Sequence, residues 1–316
     1  MKWKKMDKIF DPRDHHLADN CTEFAKSPQA IVFDDYVRIY FSSQRKTENG
    51  KYLSHPQYVD MDKSFENILN VSTSSIIELG ERGAFDEHGI FPINVLRDND
   101  KLLAYTSGWS RRVSVSIDMS IGLATSVDGG RSFTKYGSGP ILTASLHEPC
   151  LVGDPFVKKY KETYHMWYIY GTGWKQFNED TPERIYKIAH ATSKDAVNWQ
   201  RDSNAIIEEK YLDESQALPT VIEINGRYHM FFCYRQSYDF RDNKNNSYRI
   251  GYAYSDDMKN WIRDDANAGI DVSDGQWDSD MLCYPNVFKC DGNIYMLYNG
   301  NKFGKFGFGL AILEES

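Results

Sequence analysis

Apolar and polar residues alternate with a period of two along most of this chain, and stretches with a period near 3.6 are nearly absent. Such alternation puts successive side chains on opposite faces of an extended backbone, so the elements it predicts are β-strands. The strands recur as a unit: a proline, an alternating strand, a turn, and a second strand rich in aromatics. The unit reads SPQAIVFDDYVRIYFSSQR (27–45), FPINVLRDNDKLLAYTSGW (91–109), DPFVKKYKETYHMWYIYGTGW (154–174), LPTVIEINGRYHMFFCYR (218–235) and YPNVFKCDGNIYMLYNGN (284–301). Its leading prolines, Pro28, Pro92, Pro155, Pro219 and Pro285, are spaced 64, 63, 64 and 66 residues apart. Such regularity marks a repeat architecture. Asp34-Asp35, Asp98-Asn99-Asp100, Asn225-Gly226 and Asp291-Gly292 are suited to hairpin turns; Tyr160-Lys161-Glu162 lacks that chemistry.

A third strand follows in several units, at 121–126, 187–193, 250–255 and 308–313. After it comes Ser-x-Asp and an aromatic (Ser126, Asp128, Phe133; Ser193, Asp195, Trp199; Ser255, Asp257, Trp261), then a looser fourth strand such as 199–207. Four-stranded units repeated radially predict an all-β fold, a five-bladed β-propeller. The expected blades are 21–75, 83–143, 147–208, 213–272 and 277–313 in one domain. The last unit stops after its third strand, so residues 2–10 are expected to pair onto it and close the ring.

Composition narrows the function. The 316 residues carry 37 Lys and Arg against 45 Asp and Glu, a net charge of −8. That argues against nucleic acid or an anionic membrane as partner. No apolar run approaches a membrane span, and the charged N-terminus does not read as a signal peptide. Five cysteines without paired spacing favour free thiols and a cytoplasmic location. Oligomeric state is not legible.

If the first strands line a channel, the pre-proline segments and the ends of the second strands converge on one mouth. This gathers Arg45, Trp109, Trp174, Arg235, Asn299 and Asn301, flat faces and polar groups suited to a sugar; the alternative is that the tryptophans only pack between blades. Carboxylates cluster at the same end: Glu23, Glu87, Glu214 and Asp280 stand five positions before a leading proline, with Asp86, Asp213 and Asp278 nearby, and Glu148 and Asp154 in the third unit. Like charges crowded at one mouth would raise some of their pKa values, which acid/base cleavage of a glycoside requires. His88 adds a titratable group.

The proline-led repeat with Asp154-Pro155 and the Ser-x-Asp turns resembles the five-bladed propeller glycosidases, glycoside hydrolase families 43, 32, 62, 68 and 130. Glu214-Ser-Gln-Ala-Leu-Pro, Phe85-Asp86-Glu87-His88-Gly89 and Tyr298-Asn299-Gly300-Asn301 are similar to glycosidase-like proteins of polysaccharide gene clusters. The resemblance implies an orienting acid at Asp154. It also implies a base before the first-blade proline and an acid two before the fourth-blade proline, where this chain has Ser27 and Ala217. The reading is therefore a carbohydrate-active enzyme, a glycoside hydrolase with Glu214 as general acid, Asp154 as orienting group and Asp86 as base. Arg45, Glu87, His88, Trp109, Glu148, Trp174, Arg235, Asp280, Asn299 and Asn301 would contact substrate. A transferase or phosphorylase, for which Arg45, Arg235 and His88 would have to converge on phosphate, and a non-catalytic glycan-binding propeller are the alternatives. No cofactor or metal site is expected; the acids would tolerate a channel Ca²⁺, though no EF-hand-like spacing supports one. The Ser126–Phe133 segment resembles a sialidase Asp box, a structural turn.

Overall fold

The structure, a computed structural model, describes residues 1–177 and 182–314. Its regular elements are twenty strands and four single-turn 3₁₀ segments, with no α-helix among the described residues. After β1 (Trp3–Phe10) come five antiparallel meanders. The first is β2 (Glu23–Val32), β3 (Val37–Lys46), β4 (Tyr52–Met61) and β5 (Ile68–Val71). The second is β6 (Gly89–Asp98), β7 (Lys101–Arg111), β8 (Ile117–Ser126) and β9 (Thr134–Lys135). The third is β10 (Val152–Tyr160), β11 (Thr163–Lys175), β12 (Glu183–Ser193) and β13 (Gln200–Arg201). The fourth is β14 (Glu214–Ile224), β15 (Arg227–Gln236), β16 (Arg249–Ser255) and β17 (Ile262–Arg263). The fifth, β18 (Cys283–Cys290), β19 (Asn293–Asn299) and β20 (Phe308–Leu313), has β1 as its outer strand, Lys5 facing Ala311. A single parallel bridge, Ser54 to Gly89, joins the first two meanders into one sheet.

Turn chemistry explains the hairpins. Asn225-Gly226 and Asp291-Gly292 both take positive φ, as two-residue turns with right-handed strand twist require. The expected exception is also a tight turn, with Lys161 accepting φ 53° in place of a glycine. The fourth strands of the second, third and fourth meanders are only two residues long, so 199–207 contributes Gln200–Arg201 rather than a full strand. Ser126, Ser193 and Ser255 each bond an Asp two residues on, and Asp128, Asp195 and Asp257 accept the backbone N–H groups of their turns. These hydrogen bonds hold the three carboxyls well below the usual range.

The core lies between neighbouring meanders. Ile31, Tyr40, Ile93 and Ala104 fill the first such layer, and Leu103, Tyr105, Val157 and Met166 the next. Trp167, Phe231, Val287 and Trp3 pack between the later sheets, and Phe10, Phe41, Leu297 and Phe308 between the last and the first. The first strands β2, β6, β10, β14 and β18 are neighbours in cyclic order, with β18 against both β14 and β2. Buried amides stitch their inner edges: Gln29 Oε1 accepts from Asn94 (3.3 Å) and Asn286 (3.0 Å), Asn94 Oδ1 from the Val157 N–H, and Thr220 Oγ1 from the Val287 N–H. No helix among the described residues is long and apolar enough to cross a membrane.

Candidate functional site

Every first strand is interrupted at its proline by a register shift. The residue before the proline takes φ 55° at Ser27, 50° at Asp154, 47° at Leu218 and 60° at Tyr284, while Phe91–Pro92 is a cis bond. The extra residue of such a bulge re-aims its side chain. Phe91 and Tyr284 thereby line a pocket of about 720 Å³, beside Lys26, Trp109, Arg184, Arg235, Phe240 and Phe303.

Asp154 occupies the same pre-proline position in the third meander. Its side chain is buried, with an Oδ2 that accepts the Leu218 N–H at 3.3 Å and no ion-pair partner among the described residues. Burial raises its pKa to about 7, against a smaller lowering by that N–H and by the charge of Arg184. Gly153 lets the strand approach: a Cβ there would stand 2.5 Å from Met119 Cε and 2.6 Å from Ser107 Oγ.

The other expected acids are built differently. Asp86 meets Lys135 at 2.6 Å, Glu214 meets Arg263 at 2.7 Å, Asp278 meets Lys5 at 2.6 Å, and Glu148 pairs with Arg201. In all four the cation lies on the outer strand of the same meander, opposite an alanine of the third strand: Ala124, Ala253, Ala311 and Ala191. The small alanine leaves room for the long side chain. The expected crowd of acids at one mouth is thus corrected: each of the four is answered by its own cation rather than by other acids. Glu214 also accepts from Gln216 and the Lys210 N–H, and Glu148 from Tyr168.

Of the residues expected around the mouth, Trp109 and Arg235 line the pocket; Asp154, Glu214, Asp86, Arg45, Glu87, His88, Glu148, Trp174, Asp280, Asn299 and Asn301 do not. Asn299 is buried as a strut, accepting from the Ser27 N–H and donating to Ala25 and Gly307 carbonyls. Asn301 accepts from the Asp280 N–H, and His88 pairs with Glu87 and stacks near Trp109. Arg45 and His88 therefore do not join Arg235 on the pocket lining. The pocket's cations are instead Lys26, Arg184, Arg235 and Arg241. Glu183 pairs with Arg241 and stands 3.8 Å from the buried Arg235, which stacks on Phe240 at 3.6 Å; Lys26 has no ion-pair partner among the described residues, and Arg184 donates to Ser116. Burial and the charges of Arg184 and Arg241 lower Lys26 to about 8, with Cys283 opposing them. Sequence reasoning missed Lys26, Phe91, Glu183, Arg184 and Tyr284; the bulge before each proline was the available signal for Phe91 and Tyr284.

No protein-family profile matches the chain. The uncharacterized protein Rv1502 of Mycobacterium tuberculosis (strain H37Rv) is 33% identical over 322 residues, covering 100% of both chains. A β-1,2-mannobiose phosphorylase of Thermoanaerobacter sp. (strain X514) is 27% identical over 104 residues, 31% of this chain and 33% of that one. Among solved structures, a glycoside hydrolase superposes with a TM-score of 0.73 at 16% identity, covering 99% of this chain and 93% of that one. A thermostable family-43 glycoside hydrolase gives 0.67 at 14% identity over 95% and 93%. A member of the GH130 family of mannoside phosphorylases, described with hydrolases that target β-1,2 mannosidic linkages in Candida mannan, gives 0.69 at 15% identity over 99% and 93%. The chain belongs to the family of Mycobacterium tuberculosis Rv1502, on the β-propeller fold shared by glycosidases of families 43, 32 and 130.

Proposed function

We propose that the chain is a carbohydrate-active enzyme: one propeller domain of five blades, closed by β1, that cleaves or transfers a glycosyl unit in the pocket at the pre-proline bulges. The observation that carries this reading is Asp154, a buried carboxyl with its pKa raised to about 7, near enough to feel the charge of Arg184 on the wall of an aromatic-lined pocket of about 720 Å³. At neutral pH such a group holds a proton for much of the time and can give it to a departing glycosidic oxygen. Trp109, Phe240 and Tyr284 offer flat faces to a sugar ring, and the arginines offer donors to its hydroxyls. Asp154 is the proton donor in this reading rather than Glu214, because Glu214 is turned onto Arg263 while Asp154 has no ion-pair partner among the described residues. For hydrolysis the second carboxylate is Glu183, the half-buried acid on the wall, whose Oε2 makes no hydrogen bond. Five free cysteines support a cytoplasmic glycan or glycoconjugate as substrate.

A second reading, phosphorolysis, draws on Lys26 and Arg184, cations on the pocket lining without carboxylate partners among the described residues. The partial likeness to a β-1,2-mannobiose phosphorylase favours it as well. Phosphate would then form the new bond to the anomeric carbon while the leaving oxygen takes the Asp154 proton.

The test is a thermal-shift screen of mannosides, other oligosaccharides and aryl glycosides, followed by turnover of the hits with and without inorganic phosphate. Turnover without phosphate supports hydrolysis, and turnover only with it supports phosphorolysis. Tight binding without turnover under either condition identifies a glycan-binding propeller and overturns the enzyme reading.

A further inference from the structure

The cyclic array of first strands has a second opening, at the strand ends remote from the pre-proline bulges. It holds a separate cavity of about 440 Å³ lined by residues of β2, β6, β10, β14 and β18. Asn94 and Asn286, hydrogen-bonded through Gln29, are part of its wall. Three cations reach this cavity, Arg97, Lys158 and Lys289, against one acid, Glu223. None of the three forms an ion pair with a described residue, in a chain whose net charge is −8. Arg97 leans on Phe33 at 5.0 Å and Lys158 on Phe156 at 5.7 Å, so both spend their charge on ring faces. Phe156, Tyr160 and Phe288 make the rest of the wall largely apolar.

We propose that this second cavity is a binding site for a small phosphorylated ligand, whose phosphoryl group is held by Lys158 and Lys289 with Arg97 at the rim. The site is independent of the reaction proposed for the sugar pocket. Two ammonium groups that repel one another across a partly desolvated cavity gain most from a shared oxyanion, which replaces lost water with charge-assisted hydrogen bonds. Burial and, to a smaller degree, the charge of Lys289 together lower the Lys158 pKa to about 8, as expected of a cation still lacking its counter-charge. The cavity lies within the size range of small-ligand sites, so a phosphate monoester with a body such as a sugar fits as well as inorganic phosphate does.

The probes are inorganic phosphate and a hexose 1-phosphate, titrated by calorimetry at constant ionic strength into the full chain and its variants. Lys158→Met and Lys289→Met should each weaken binding about tenfold or more, the loss of one charge-assisted contact, while Lys158→Arg retains it. Lys4→Met, an exposed lysine outside both cavities, should leave this binding unchanged. NMR of the Lys158 side chain should show its titration moving upward when the probe is bound. Tighter binding of the hexose 1-phosphate would mark a phosphate ester as the ligand, and equal binding would mark the phosphoryl group alone. Binding lost in Lys26→Met but intact in Lys158→Met would overturn the proposal, as would the lack of saturable binding of either probe at millimolar concentration.

Discussion

Glu214 and Asp154 are both buried carboxyls in adjacent meanders, and their surroundings are opposite. Glu214 meets Arg263, Gln216 and a backbone N–H, and the same arrangement recurs with Asp86 and Lys135, Glu148 and Arg201, and Asp278 and Lys5. Asp154 stands where the other meanders carry Ser27, Phe91, Leu218 and Tyr284, and has one backbone N–H and no paired cation among the described residues. A group that four of the five units supply with a partner serves what those units share, namely their packing. A costly group that one unit carries alone is the better candidate for chemistry, since an uncompensated buried carboxyl destabilises the fold that holds it.

The largest effect expected from breaking this contrast comes from removing β1. Deleting residues 1–10 takes away Lys5, the cation that answers Asp278, together with the buried Trp3 and Phe10. Truncating one buried aromatic costs about 3–5 kcal/mol, so the deletion should prevent cooperative folding near room temperature. A deleted chain melting within about 2 °C of full length would remove β1 from the core. Next is Arg263→Met, which leaves Glu214 buried without its cation. Breaking such a pair costs about 3–5 kcal/mol, a fall in melting temperature of roughly 6–20 °C in a chain of this size. An unchanged melting temperature would show that the pair is not structural.

The third effect has a sign that singles out Asp154. Its folded pKa of about 7 lies above its value in the unfolded chain, so the native state binds the proton more tightly. The native state therefore loses stability as pH rises between about 4 and 7, by up to about 4 kcal/mol, and is flat above that window. Asp154→Asn should remove this loss and make the variant more stable than wild type at pH 8, as measured by denaturant unfolding across the pH range. A variant less stable than wild type at pH 8 would mean that the carboxylate is compensated after all. The smallest effect belongs to the Ser-x-Asp turns. Asp128→Ala removes a turn acceptor on the surface and should lower the melting temperature by roughly 2–4 °C, about the worth of a lost cap, without altering ligand binding.

The hairpins, their spacing and the β1 segment were legible because each depends on local signals: alternation, proline, and turns such as Asn225-Gly226. The answering cations were not, because Lys135, Arg201 and Arg263 sit on two-residue strands that no periodicity reveals. Reading only the acids made four compensated groups look like a crowded mouth. Asp154 was legible through its place before Pro155. Lys26, Glu183 and Arg184 were not, since Lys26 comes from the first strand of the first meander and Glu183 and Arg184 from the third strand of the third, and no repeat puts them in phase.

The most direct measurement compares Asp154→Asn with Glu214→Gln on whichever unactivated glycoside the screen identifies, recording turnover per folded molecule and melting temperature in parallel. Asp154→Asn should lose about 10²–10⁴-fold in turnover while melting no lower than wild type at neutral pH. Glu214→Gln should melt lower yet keep most of its turnover. A stable, inactive Glu214→Gln beside an active Asp154→Asn would contradict the assignment and return the acid's role to the repeated carboxylates.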